Sequence, residues 1–283
     1  MGRKLDTRAI GLDAGLGFIR WLTGAENLHY GLWDGLQPTA ANLRAAQDAY
    51  TQRLLSLLPE GRLRILDIGG GAGETAKKLL AMGHSVQIVV PSALLAERCR
   101  ANAPGAQVHE CRFEDFETED RFDLCLFSES FQYISLAVGL EKALSLIGEK
   151  GEILIADCFR SREWGGKAGE GIVGGGHPMG RFRKALARLP LAVISEQDIT
   201  ASVAPSIDLE QGLFNVIGHT LSRIDSELAA KRPAMRWALH RALGAVLDRR
   251  KRDRLERRLN RRERNAETFA KYNRYLILRL RRS

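Results

Sequence analysis

Five residues, Gly69-Gly70-Gly71-Ala72-Gly73, constrain this chain more than any other stretch. They follow the short apolar run Arg64-Ile65-Leu66-Asp67-Ile68 and precede a helical pattern from Glu74 to Met82, with Gly83 as its stop. A strand that breaks into glycines and re-enters a helix is a nucleotide-binding turn. Glycine lets the backbone bend tightly, and a ligand can then approach the amides at the helix N-terminus. The spacing narrows the ligand. Dinucleotide enzymes use G-x-G-x-x-G, and Glu74 stands where that pattern wants a small residue. The Gly-Lys-Ser/Thr of a phosphate loop is absent. Asp67, just ahead of the turn, suits a ligand with a cationic amino-acid end.

The alternation then continues. Strands are expected at Val86–Val90, near Val108, at Phe122–Phe127 and at Gly151–Ala156, with helices at about 92–102 and 136–147 between them. Strands alternating with helices at this spacing predict an α/β fold, a doubly wound and mostly parallel sheet covered on both faces. Before the turn, residues 7–36 are rich in Gly and aromatics, and Pro38 opens a helical pattern through Leu43, Ala46, Tyr50, Leu54 and Leu57. After the fifth strand the style changes. Residues 165–180 hold eight glycines and His177, read as a loop, and a weak strand follows at Leu191–Glu196. Two long helices are expected at 208–230 and 233–264, split by Pro233. The second carries an apolar stripe at Met235, Leu239, Ala242, Leu243, Val246 and Leu247, continuing to Leu255 and Leu259. The boundaries drawn are 1–58 for an N-terminal helical lid, 59–200 for the core, 201–268 for a basic helical cap and 269–283 for a final strand.

Charge separates these regions. The 283 residues carry a net +9, yet Arg223–Ser283 alone holds 20 Lys+Arg against 7 Asp+Glu. The remainder is slightly acidic. The apolar stretches fall short of the ~20 residues a membrane span needs, and the start leads into no run of signal-peptide type. Cys99, Cys111, Cys125 and Cys158 are scattered, with no C-x-x-C pair and no His at ligand spacing, so no metal site is expected. Cys125 and Cys158 lie inside strand-like runs and read as small core residues. A reducing, cytoplasmic setting is the expectation, with peripheral membrane association open.

The run Ile65-Leu66-Asp67-Ile68-Gly69-Gly70-Gly71-Ala72-Gly73 resembles the first motif of the class I S-adenosylmethionine-dependent methyltransferases. Phe122-Asp123-Leu124-Cys125-Leu126-Phe127-Ser128-Glu129-Ser130 looks like their fourth-strand motif, and Gly148–Ala156 like their turn into the fifth strand. The resemblance covers about residues 25–160. It implies S-adenosylmethionine as cofactor and a seven-stranded Rossmann-like sheet whose final strand is antiparallel, with Tyr272–Leu280 as candidate and the basic helices inserted before it. Leu28-His29-Tyr30-Gly31-Leu32-Trp33 is similar to the His-Tyr-Gly-x-Trp stretch of the cyclopropane fatty acid synthase and tocopherol methyltransferase groups, which folds over the cofactor with its tyrosine near the sulfonium. Ser128–Tyr133 looks like their Glu-Ser segment, with Gln132 where a His is frequent. An aromatic staple packing the N-terminus on the core is the alternative reading of Tyr30 and Trp33.

The resemblance implies cofactor contacts from Asp67, Gly69, Gly70, Gly71, Gly73, Ser128 and Tyr30. It departs at two places. The second strand of such enzymes usually ends in an acid for the ribose; here Val90-Pro91 stands there. Beside the adenine an acid is usual; here Arg112-Phe113 precedes Glu114, so Phe113 would stack on the base and Glu114 would supply the acid late.

Methyl transfer is an in-line displacement that mainly needs alignment, with a base only if the acceptor must lose a proton. Glu129, Tyr133, Tyr30 and His177 are the catalytic candidates, His177 on a glycine-rich lid. The acceptor expected is a small or lipid-like molecule, with carrier-protein-bound chains included. The Arg-rich cap would place its stripe inward over the acceptor and its arginines toward anionic lipid headgroups or an acidic carrier. Nucleic acid is less favoured, because few aromatics interleave the arginines. A non-catalytic scaffold on a degenerate methyltransferase fold is the alternative from another class, and an RNA methyltransferase a further one.

Overall fold

A computed structural model describes residues 7–166, 173–246, 249–260 and 263–283. In chain order the elements are α1 (Thr7–Thr23), α2 (Leu43–Leu55), β1 (Arg64–Ile68), α3 (Glu74–Ala81), β2 (Ser85–Val90), α4 (Ala93–Asn102), β3 (Gln107–Glu110), β4 (Phe122–Ser128), α5 (Leu136–Leu146) and β5 (Ile147–Arg160). There follow β6 (His177–Pro178), α6 (Met179–Leu186), β7 (Leu191–Asp198), α7 (Thr200–Val203), α8 (Pro205–Lys231), α9 (Pro233–Val246), α10 (Arg249–Asn260), α11 (Ala266–Tyr272) and β8 (Asn273–Arg282).

The strands form one sheet in the order β3-β2-β1-β4-β5-β8-β7. β1 to β5 are parallel neighbours along this path, and β8 runs antiparallel between β5 and β7. The period of two decides the layers. Ile65, Leu124, Leu126, Leu154, Ala156 and Ile277 belong to one core, while Leu66, Ile68, Cys125, Phe127, Ile155 and Leu278 belong to the core on the opposite face. The expected α/β sheet with a late antiparallel strand is what the chain forms. Among the described residues no helix is long and apolar enough to cross a membrane.

Three expectations are corrected. The sheet has eight strands, because His177-Pro178 pairs with Phe159-Arg160 of β5 where a loop was expected. The glycines before it make this possible: a Cβ on Gly176 would run into the carbonyl of Cys158, so only glycine lets this backbone lie so close to the strand. Residues 167–172 of that glycine-rich stretch lie outside the described residues. The second correction concerns the long helix expected at 233–264: its described residues form α9 and α10, and residues 247–248 and 261–262 lie outside the described residues.

The third is its apolar stripe. Met235, Leu239 and Leu243 face solvent, 55%, 46% and 44% exposed, and Leu255 is 46% exposed. Asp225 of α8 accepts from Nε and Nη2 of Arg236 and faces Nε2 of His240 at 2.7 Å. The side of α9 that meets α8 is therefore a polar one, and the apolar stripe lies beside it. Of the same stripe, Leu247 and the side chain of Val246 lie outside the described residues. α10 instead crosses α8 at Gly218, where any Cβ would strike the Leu259 carbonyl.

Candidate active site

The glycine turn sits at the carboxyl end of β1, between β2 and β4, where doubly wound sheets take their ligands. Gly69, Gly71 and Gly73 have φ of 75°, 57° and 88°, a left-handed conformation that a side chain would strain. Space beside Gly71 is open, whereas a Cβ on Gly70 would come 2.6 Å from Asp67 Oδ2. That Oδ2 is buried with no hydrogen-bond partner among the described residues. Burial alone pushes the carboxyl up to about 7. A buried acid without a donor, aimed at a turn with open space, fits a cationic amino-acid end.

A strap from Glu26 to Trp33 crosses this end of the sheet. At one end Glu26 is clamped: Arg98 donates from Nε at 2.8 Å and Nη2 at 2.6 Å, and Asn102 from Nδ2 at 2.7 Å. Burial raises the Glu26 carboxyl, but the hydrogen bonds of Arg98 and Asn102 outweigh it and hold the group below its usual range. The Glu26 amide donates to Glu74 at the start of α3 (3.1 Å), and Asn102 also caps the Ala72 carbonyl (2.9 Å), tying the strap to the glycine turn. At the other end, Trp33 is buried and donates from Nε1 to Ser206 at 2.7 Å, and the Gly31 amide reaches the same hydroxyl. Trp33 is thus a staple. His29 stacks on Tyr50 at 4.5 Å, gives Nδ1 to the Tyr30 carbonyl, and burial lowers it to about 4, so it is neutral near pH 7.

Between these anchors lies a half-buried carboxyl. Glu129, at the end of β4, is the one non-glycine residue with positive φ (56°) among the described residues. Its Oε1 accepts the Tyr30 amide at 2.8 Å and the Tyr275 hydroxyl at 2.9 Å. The Tyr50 hydroxyl lies 2.8 Å from Tyr275 and 3.3 Å from the Ser128 hydroxyl. Asp157, fully buried on β5, accepts the amides of Gln132 (3.0 Å) and Cys158 (2.6 Å). Burial, reinforced by the charge of Asp157, pushes Glu129 up to about 8, and burial pushes Asp157 to about 7. Such an arrangement can hold a proton near neutrality and exchange it with a bound acceptor.

The structure thus brings Glu129, Tyr30 and Ser128 together beside Asp67 and the glycines. The other candidates lie elsewhere. The Tyr133 side chain is 70% exposed on the short helical turn after β4. His177 Nε2 donates to the carbonyls of Phe131 (3.1 Å) and Ile134 (3.0 Å), so its ring anchors that turn. Phe113 is sealed in the core, edge-on to Phe127 at 5.7 Å, and its ring has no face left for a base. Glu114 pairs with Arg112 at 3.1 Å, and Val90 is fully buried in the apolar core. Tyr275, Tyr50, Asp157 and Glu26 were missed. Tyr50 and Tyr275 fit helix and strand patterns, and the single available signal was a hydroxyl at an apolar position. Among the described residues no group of His, Cys, Asp and Glu could hold a metal.

Comparison with known proteins bears on the fold. Residues 65–151 match the model of a methyltransferase domain family. No curated protein matches the chain. Among solved structures, a putative sarcosine dimethylglycine methyltransferase from Galdieria sulphuraria is similar over 96% of this chain and 99% of that one, with 15% identity and a TM-score of 0.69. A cyclopropane synthase from Mycobacterium tuberculosis is similar over 95% of each chain, with 16% identity and a TM-score of 0.67. A geranyl diphosphate C-methyltransferase from Streptomyces coelicolor, solved with S-adenosyl-L-homocysteine, is similar over 99% of this chain and 100% of that one, with 13% identity and a TM-score of 0.64. Residues 65–151 thus match a methyltransferase domain, and the chain as a whole has the fold of these solved methyltransferases.

Proposed function

We propose that this protein moves the methyl group of S-adenosylmethionine to a small, lipid-like acceptor, free or carried on a protein. The observation that carries the reading is the pairing of an unpartnered buried acid, Asp67, with the Glu129 carboxyl held under the same strap. When bound, the cofactor supplies an activated methyl that needs alignment with its acceptor and little further chemistry. Asp67 and the glycines would hold its amino-acid end, and Tyr30 would lie beside the reacting centre. On the ribose and adenine side the residues depart from the family pattern, since Val90 is core and Glu114 is tied to Arg112.

Glu129 acts as the base for an acceptor that must lose a proton. The Tyr30 amide and the Tyr275 hydroxyl fix Oε1, and Tyr50 backs Tyr275 from behind. Aromatic edges favour an apolar acceptor: Tyr30 meets Phe269 edge-on at 6.1 Å and lies 6.1 Å from Tyr275. The segment up to residue 58 serves as lid and residues 201–268 as cap over the acceptor. The likeness to the geranyl diphosphate enzyme supports the fold of this arrangement.

Calorimetry with S-adenosylmethionine, followed by mass-spectrometric screening of extracted lipids and carrier-bound acyl chains, tests the proposal. Binding, lost in Asp67→Asn, and a product heavier by one methyl group support it. Absence of binding would assign the chain to the scaffold reading instead.

A further inference from the structure

Asp67 is not the one buried acceptor beneath the strap that lacks a donor. Gln47 of α2 is 2% exposed, and its Nε2 donates to the carbonyls of Asn27 and His29, both at 3.0 Å. These two bonds fix the orientation of the side-chain amide. Turned over, it would set Oε1 against two carbonyl oxygens. With Nε2 so placed, Oε1 is buried and meets no donor among the described residues. A carboxyl in that position can take up a proton, as burial makes Asp67 do up to about 7. A carboxamide oxygen has no such escape, so the cost of burying it is met by a donor or not at all.

Three contacts locate this oxygen. Asp48, the next residue of α2, pairs with Lys78 of α3 at 2.8 Å, so this part of α2 runs beside the helix that follows the glycine turn. Asn27 follows Glu26, whose amide donates to Glu74, the first residue of α3. His29 precedes Tyr30, whose amide reaches Glu129 at the end of β4. Gln47 therefore lies beneath the part of the strap that runs from the glycine turn, which Asp67 adjoins, to Glu129. Two acceptors without donors in one such place call for a ligand group with several N–H bonds. An ammonium has three, and its charge suits the carboxylate of Asp67.

We propose that Gln47 is a further cofactor-binding residue, whose Oε1 accepts an N–H of the α-ammonium group of S-adenosylmethionine while its Nε2 holds the strap. The proposal rests on the methyl-donor reading above and adds to it a specificity: the site selects a ligand that carries its amino group.

Calorimetry with two probes tests this, S-adenosyl-L-homocysteine and the analogue in which hydrogen replaces its α-amino group. The parent binds the first more tightly, and the ratio of the two dissociation constants measures recognition of the ammonium. In Gln47→Leu that ratio falls roughly tenfold or more, the loss expected of a hydrogen bond to a charged group. Loosening of the strap weakens both probes alike and leaves the ratio unmoved. Gln47→Glu keeps an acceptor but gives up both donors to the strap, so it binds both probes more weakly at a ratio near that of the parent. Circular dichroism checks each fold, and Gln47→Met replaces Gln47→Leu should the latter not fold. A ratio unchanged in Gln47→Leu overturns the proposal and leaves Gln47 as a prop of the strap, with a trapped water on Oε1. A ratio that falls equally in Gln47→Glu also overturns it. Absence of binding by the parent to either probe is a different result, since it removes the methyl-donor reading itself and the role of Gln47 with it.

Discussion

Asp67 is a carboxyl at odds with its surroundings. Its native value of about 7 lies above the 3.8 of an exposed Asp, so its ionisation disfavours the folded state. The sign follows directly. The contribution is fully favourable below pH 3.8 and fades as pH rises through about 7. Glu129 and Asp157, raised to about 8 and 7, act in the same direction. Asp67→Asn should therefore stabilise the ligand-free protein at pH 8, on the order of 1–3 kcal/mol, and make no gain at pH 4. Thermal melts at the two values measure this, and a gain that is equal at both would contradict it. At Glu129 the expectation concerns rate. Parent activity rises with pH through about 8 as the carboxyl ionises, and Glu129→Gln lowers kcat roughly 10²–10⁴-fold and flattens that profile. Asp67 and Glu129 were legible because each sits at a strand end inside a motif. Tyr275 was not, since nothing in a strand pattern tells a ring that packs from a hydroxyl that reaches across the sheet.

At the level of elements, the strap is only as firm as its clamp. Glu26 is lowered in the fold, so its contribution is present above its usual value of 4.5 and is lost as pH falls below it. Glu26→Gln should cost about 2 kcal/mol at pH 7, because it leaves Arg98 half-served while solvent takes part of the loss. The parent and the variant converge on acidification, which urea titrations at several pH values would follow. The same variant should bind S-adenosylmethionine more weakly, if the strap covers the cofactor. Gly218→Val separates α8 from α10 by forcing a side chain against the Leu259 carbonyl, and α10 should then show faster amide exchange. The sequence pattern located the helices here but mistook their facing. An apolar stripe predicts burial only when another element lies across it, and here α9 meets α8 through Arg236 and His240 instead.

For the whole molecule, ligand linkage offers the broadest check. S-adenosylmethionine at a hundred times its Kd should stabilise the fold by about 2.7 kcal/mol, and Asp67→Asn should abolish the effect. The sheet itself was the most legible part, because strand and helix periods alternate cleanly from Ile65 to Ala156. The region after β5 was less so: the glycine run hid β6, while β8 was legible through the resemblance, which asked for a final antiparallel strand at Tyr272–Leu280. The position of β8 has a consequence for assembly. β7 can join the sheet only across β8, and Tyr275 meets Glu129 across a sequence separation of 146. During synthesis the parallel half can therefore form while β7 waits beside an open edge and Glu129 lacks one of its two donors. Closure of so distant a contact is slow, and the nascent chain holds the Glu129 carboxyl by both donors only after residues 273–282 have left the ribosome.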